Sequence, residues 1–340
     1  MAEQTTHGDT DLASRARRHL GRRHERFVVA QVVGGETCVA QVGVEPRAEL
    51  EIGSVSKGIT GMLFADSRAR GETSDATHLG DLLSLTGAPA ADITLGALAT
   101  HTSGLPRLAD GAHGLRATVE LWRHGTNPYG EGLDDLLAAS ARPRLRRRRP
   151  RYSNVGFMLL GHALAAAADT TYADLLHDRV TRPLGMVDTT VPATEGDLGP
   201  RAAQGCSRRG RPVGPWTGEA LGPAGGIRST AQDLGLLVRA LLEGSAPGAT
   251  ALDPVAPFSG PLQIGAAWLT LKRRGTLLTW HNGGTGGFRS VVVLDRAAGA
   301  GVALVSACAR SVDRAGFALL EGASGRASQG RGMTAPNEPE

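Results

Sequence analysis

Lysine is nearly absent from this chain of 340 residues: of 37 basic side chains only Lys57 and Lys272 are lysines, and arginine carries every other positive charge. Aromatic residues are also scarce, at 4%, so alanine, valine and leucine must supply most of the packing in a chain that is 41% hydrophobic. Cysteine is limited to Cys38, Cys206 and Cys308, an odd number at wide spacing with no CxxC pair. That argues against a disulfide framework or a structural zinc site, and reduced thiols are the expectation. No run approaches the roughly 20 apolar residues that span a bilayer. The N-terminal MAEQTTHGDTDLASRARRHLGRRHERF is charged and lacks the apolar centre of a secretory signal, so it reads as an amphipathic helix. A cytoplasmic protein without a membrane partner is expected. Thirty-seven basic against 33 acidic residues give a net charge of +4, too slight an excess to argue for nucleic acid.

What is present has a clear order. The segments RFVVAQVVGG and TCVAQVGV, over 27–44, are apolar and β-branched and break at Gly34-Gly35, which predicts a hairpin. Gly53 and Ser54 then lead into VSKGITGMLFADSRARGE, whose apolar residues recur at helical spacing. From about 75 to 255 helical segments alternate with Gly/Pro-rich loops, and near residue 262 the period returns to two. IGAAWLTLKR, GTLLTWHN and FRSVVVLDRAAGAGVALVSACA read as four strands of a meander, closed by the helix RAGFALLEG. The predicted fold is α+β: an antiparallel β-sheet flanked by helices, built from both chain ends, around a large and mostly helical insertion. Expected boundaries are a helix and lead-in over 1–25 and a globular part over 26–322. Within it the sheet portion takes about 26–70 and 256–322, and the helical portion about 71–255. Residues 323–340 are polar and aperiodic and are expected to be a disordered tail. A site is expected where sheet and helical portions meet.

The isolated lysine supplies the chemistry. If Ser54 opens the helix carrying Lys57, the two lie on one face about a turn apart. A serine hydroxyl is a poor nucleophile until a neighbouring base takes its proton. Lysine can serve, because desolvation depresses its pKa, whereas arginine does not deprotonate in proteins. The helix N-terminus also presents backbone N–H groups to developing negative charge. The bland alternative is a capping serine and a solvated lysine.

Two further segments weigh against the bland alternative. RYSNVGFMLLG contains Tyr152, a phenol that could shuttle protons beside an ammonium, and Asn154, which could bind both Lys57 and a substrate amide. TWHNGGTGGFRS contains His281, Asn282, Gly283 and Gly284, where glycines let a ligand approach the backbone. With S-x-x-K, Y-S-N and H-x-G in this order, the chain resembles the class C β-lactamase and serine DD-peptidase superfamily. LATHTSGLP (98–106), PLGMVDTT (183–190) and PAGGIRSTAQDLGLL (223–237) extend the resemblance over roughly 25–320.

By that resemblance Ser54 is the acyl-accepting nucleophile, Lys57 its activating partner and Tyr152 the proton shuttle. Asn154, His281, Asn282 and Gly283 would bind substrate, and the N–H groups of Ser54 and Gly284 would form the oxyanion hole. His281 stands where class C β-lactamases usually carry lysine, a departure that points toward the esterases and D-amino-acid-releasing peptidases of the superfamily. The implied function is a serine hydrolase acting on a small-molecule ester, amide or short peptide, without cofactor, metal or nucleic acid. An acyltransferase using the same acyl-enzyme and a catalytically inactive binding homologue remain open. The arginine-rich run from Arg142 to Arg151 reads as a solvated loop, or as a basic rim to the site. His101, in HTSG, reads as structural; His78, His113 and His124 lack ligand-spaced partners, and Lys272 reads as a solvated strand residue.

Overall fold

A computed structural model describes residues 5–85, 87–107, 127, 132–141, 145, 150–273 and 275–332, of which 326–332 are described as backbone alone. Nine strands form the main sheet: β1 (Thr6–Gly8), β2 (Phe27–Val33), β3 (Glu36–Val42), β4 (Ala256–Ser259), β5 (Leu262–Ile264), β6 (Leu269–Arg273), β7 (Thr276–Gly284), β8 (Arg289–Asp295) and β9 (Ala300–Ser306). They lie in the order β1-β3-β2-β9-β8-β7-β6-β5-β4. The two chain ends meet at the antiparallel β2–β9 pair, where Val29 stands opposite Leu304. The predicted hairpin is β2–β3, turned by Gly34 and Gly35 at φ 57° and 86°, the positive angles that a two-residue hairpin turn needs.

Strand residues alternate between faces, and both faces of this sheet are buried. Phe27 and Val29 join Leu12, Ala16 and Leu319 on one side, while Val28, Ala30 and Val32 join a larger core on the other. The longer helices are α1 (Thr10–Leu20), α2 (Val55–Ala69), α3 (Asn154–Ala167), α4 (Ala231–Glu243) and α5 (Asp313–Gly332). Helices α1 and α5 cover the first face; α2 and α4 cover the second, and α3 packs behind α2. Helix α2 is buried from Val55 to Ser67 because it separates the sheet from the helical portion. Among the described residues no helix is long and apolar enough to cross a membrane.

Three expectations need correction. The N-terminal 25 residues are not one helix: the edge strand β1 precedes α1, which starts at its Asp9 cap, where the carboxylate accepts from Leu12 N–H at 2.7 Å. Helix α4, counted with the helical insertion, lies on the sheet against β2, β3 and β9. The disordered tail does not begin at 323, since α5 runs to Gly332; Ala323 is fully buried and Ser324 donates to Asp295 at 2.9 Å. Tertiary packing there outweighs a polar, glycine-containing composition. Residues 333–340 lie outside those described.

Candidate active site

Ser54 enters the site from a two-residue ladder, Leu50–Glu51 against Arg228–Ser229, through Gly53 at φ 51°. It occupies the cap position of α2 yet makes no capping hydrogen bond with its side chain. Its Oγ lies 3.1 Å from Lys57 Nζ, one turn further along. Lys57 is completely buried, and its Nζ donates to Ala224 O at 2.5 Å. That carbonyl belongs to the tight Gly222–Gly226 turn, which Thr60 pins to α2 by donating to Pro223 O at 2.7 Å. Burial, and then the positive charge of Arg107, hold the Lys57 amine well below lysine's usual 10.5. Desolvation penalises the ammonium, and among the described residues no carboxylate compensates it.

Tyr152 covers this pair, with Lys57 Nζ 4.9 Å from its ring centroid and the Arg107 guanidinium carbon at 5.8 Å. Ser153 caps α3, its Oγ accepting from Gly156 N–H at 2.9 Å and donating to Pro106 O at 2.7 Å. Asn154, the buried first residue of that helix, is thereby fixed beside Tyr152. His101 braces the same segment from beneath. Its ring lies 4.6 Å from the Tyr152 ring, its Nδ1 accepts from Ser153 N–H at 3.2 Å, and its carbonyl accepts from Arg151 N–H at 2.8 Å. Buried and in the left-handed region at φ 57°, His101 is held well below the usual histidine range chiefly by burial, with the neighbouring basic groups Lys57 and His281 acting in the same direction.

The opposite wall is the end of β7. His281 points inward and is buried, its edge toward Trp268, and its Nδ1–H donates to Asn282 O at 2.7 Å. Burial first, and Lys57 second, push its pKa down to about 3, so this histidine faces the site as a neutral ring. Asn282 alternates to the other face, where its amide donates to Asp313 at 3.2–3.3 Å. The structure therefore does not bring the Asn282 side chain to the site, a correction that follows from strand alternation.

Glycine at 283 and 53 is required by close backbone approach. A Cβ on Gly283 would fall 2.2 Å from Ile52 O and 2.8 Å from Ser54 N, and one on Gly53 would fall 2.5 Å from Gly284 N. The amides of Ser54 and Gly284 are thus brought side by side, and Ser290 Oγ, donating to Ile52 O at 2.6 Å, ties the two segments. Behind them lies a buried ion pair. Arg228 donates to Glu51 Oε1 at 3.1 Å, to Glu49 O at 2.8 Å and to Ala203 O at 3.0 Å. Trp216 N–H donates to the same Glu51 oxygen at 2.9 Å.

The fold brings together Ser54, Lys57, Tyr152, Asn154, His281, Gly283 and Gly284. Such a group can activate a hydroxyl, bind a developing oxyanion and pass a proton. Sequence reasoning missed His101, Arg107 and the Glu51–Arg228 pair as parts of the site. HTSG named His101, but neither its left-handed backbone nor its ring contact is written in the motif. Lys272 is exposed on β6, as expected. Most of the arginine run (142–144 and 146–149), His113 and His124 lie outside the described residues.

The Beta-lactamase family model matches residues 14–322. A human beta-lactamase-like protein is 31% identical over 224 residues, covering 62% of this chain and 42% of that protein. The D-alanyl-D-alanine-carboxypeptidase/endopeptidase AmpH of Escherichia coli (strain K12) is 41% identical over 98 residues, 29% of this chain and 24% of its own. The alignments thus span less than half the length of either relative. Among solved structures, a class C β-lactamase mutant superposes with a TM-score of 0.77 at 18% identity, covering 92% of this chain and 98% of its own. D-alanine carboxypeptidase AmpC from Burkholderia cenocepacia does so at 0.73 and 24% identity, covering 92% and 99%. At such identities the likeness speaks to the fold alone, and it agrees with the predicted α+β architecture.

Proposed function

Given that the chain belongs to the Beta-lactamase family, we propose that it is a serine acyl hydrolase whose acyl-enzyme forms on Ser54. The observation that carries this reading is the fully buried Lys57 amine, 3.1 Å from Ser54 Oγ and with its pKa depressed. In this mechanism the neutral amine takes the hydroxyl proton as Oγ attacks a carbonyl carbon. The Ser54 and Gly284 N–H groups hold the resulting oxyanion, and Tyr152 carries a proton to the leaving alcohol or amine. Asn154 binds Lys57 and the substrate amide. Water then attacks the Ser54 ester, and the same groups return the proton.

The substrate class is an ester or a short D-amino-acid amide, of the kind the carboxypeptidase relative's name describes. Supporting it is the neutral His281, which offers a carboxylate a hydrogen-bonding ring in place of a full positive charge. Intact-protein mass spectrometry after exposure to a fluorophosphonate and a panel of activated esters tests the reading. A single adduct on Ser54, absent in Ser54→Ala, is expected; wild-type protein that takes no adduct from any reagent overturns it.

A further inference from the structure

Cys206 and Cys308, distant in sequence, stand opposite one another in a parallel bridge. Cys206 N–H donates to Ala307 O at 3.1 Å, and Ala309 N–H donates to Cys206 O at 2.8 Å, closing the pairing on both sides of Cys308. Side chains paired this way project from the same face of strands spaced about 4.8 Å apart. That separation falls inside the roughly 4.4–6.8 Å that a disulfide spans between α-carbons. Each sulfur leans toward the other segment, Cys206 Sγ at 3.2 Å from Ala307 O and Cys308 Sγ at 3.7 Å from Ser207 O. Both are free, and so is Cys38, which is exposed on β3 beside Asp9.

The pair is chemically unequal. Cys308 is buried, while Cys206 is half-exposed and is the sulfur a reagent meets first. Burial and then the neighbouring Cys206 push the Cys308 thiol up to about 11, so it keeps its proton, and Arg310, which acts the other way, donates to the carbonyl of Arg208 beside this bridge.

We propose that Cys206 and Cys308 are a redox-active pair that closes to an intramolecular disulfide when a hydroperoxide oxidises it. The Cys206 thiolate attacks the hydroperoxide and breaks its O–O bond, giving Cys206 sulfenic acid and an alcohol that keeps the thiol proton. Cys308 sulfur then attacks Cys206 sulfur; the sulfenic hydroxyl leaves with the Cys308 proton as water. Two thiols lose two electrons and two protons, and the hydroperoxide is reduced to alcohol and water. The bond would form beside the turn that follows Gly284. Cys206 N–H also reaches Gly287 O at 3.2 Å, and a Cβ on Gly205 would fall 2.4 Å from the Phe288 ring.

The test treats the full chain with a small excess of hydrogen peroxide, then denatures it in iodoacetamide for intact mass and peptide mapping. The expected product is lighter by two hydrogens before alkylation and takes one alkyl group where the reduced protein takes three. Its linked peptides contain Cys206 and Cys308, and dithiothreitol restores all three thiols. Cys38→Ser keeps the link, and Cys206→Ser and Cys308→Ser each abolish it. Oxygen added to Cys206 or Cys308 with no linked peptide, or a link through Cys38, overturns the proposal. Because the decisive measurement is made on wild-type protein and without substrate, it stands or falls independently of Ser54 acylation.

Discussion

Among the described residues two lysine or arginine side chains are shut away from water, and they are treated in opposite ways. Arg228 is 1% exposed and Lys57 is 0% exposed. Around Arg228 the fold supplies the Glu51 carboxylate and two backbone carbonyls. Burial lowers its pKa from the usual guanidinium range, but a guanidinium stays charged in a protein, and Glu51 compensates it. Around Lys57 the fold supplies a serine hydroxyl, a carbonyl, the ring of Tyr152 and the positive charge of Arg107, with no acid among the described residues to hold the proton. Where a permanent charge is wanted the chain uses arginine with a carboxylate; where a proton must be given up it uses lysine and withholds the carboxylate. The near absence of lysine elsewhere becomes intelligible on these terms.

Lys57→Arg should break this contrast most severely. It keeps a cation but removes the base, so ester turnover should fall by roughly 10²–10⁴-fold, the usual contribution of general base catalysis. Fluorophosphonate labelling of Ser54 should slow in parallel, with the far-UV spectrum unchanged. Retained turnover would show that Lys57 acts as a charge, as Arg228 does.

Glu51→Gln attacks the other half. It leaves the Arg228 guanidinium buried without its counter-ion, at a cost of about 3–5 kcal/mol in unfolding free energy. Adding Arg228→Met to that variant should recover much of the loss, since paired removal strands no charge. Urea unfolding of the single and double variants measures both. Equal destabilisation would mean that the pair acts by packing alone.

How far this contrast could be read in advance differs between its two halves. Lys57 stands out because one lysine three residues after a serine is visible in composition and spacing, and the strands flanking the site are visible as period-two runs. Glu51 and Arg228 look like any charged residues. Their pairing depends on a two-residue ladder that joins distant parts of the chain and has no period to detect. Asn282 was misjudged for a related reason: it adjoins His281 in the motif, but a strand sends neighbours to opposite faces. Edge strand β1 and the turn of α5 at Ala323 and Ser324 are set by contacts with residues far away in sequence. Cys206 and Cys308 likewise meet only through the fold.

His101→Phe sharpens the comparison at a smaller scale. Phenylalanine keeps the ring against Tyr152 and loses the acceptor for Ser153 N–H. If His101 positions Tyr152, kcat should fall by about tenfold, as a slight misplacement near the reacting atoms does, with KM and Ser54 labelling little changed. His101→Asn, which restores an acceptor, should recover part of kcat. A merely structural role would instead lower the urea midpoint and leave kcat intact.

The smallest effect is expected at His281, which asks whether Lys57 alone sets the acid limb of activity. His281 is held near a pKa of about 3 in the folded chain, against 6.5 ordinarily, by burial and by Lys57. Between those values the unfolded chain binds a proton that the folded chain refuses. Stability from this group therefore falls as pH drops from 6.5 toward 3. His281→Asn should flatten that part of the stability profile while leaving the acid limb of kcat/KM where it was, because the wild-type ring is already neutral throughout the active range. An acid limb that moves with His281→Asn would assign the titration to His281 and take from Lys57 the role its burial and depressed pKa give it.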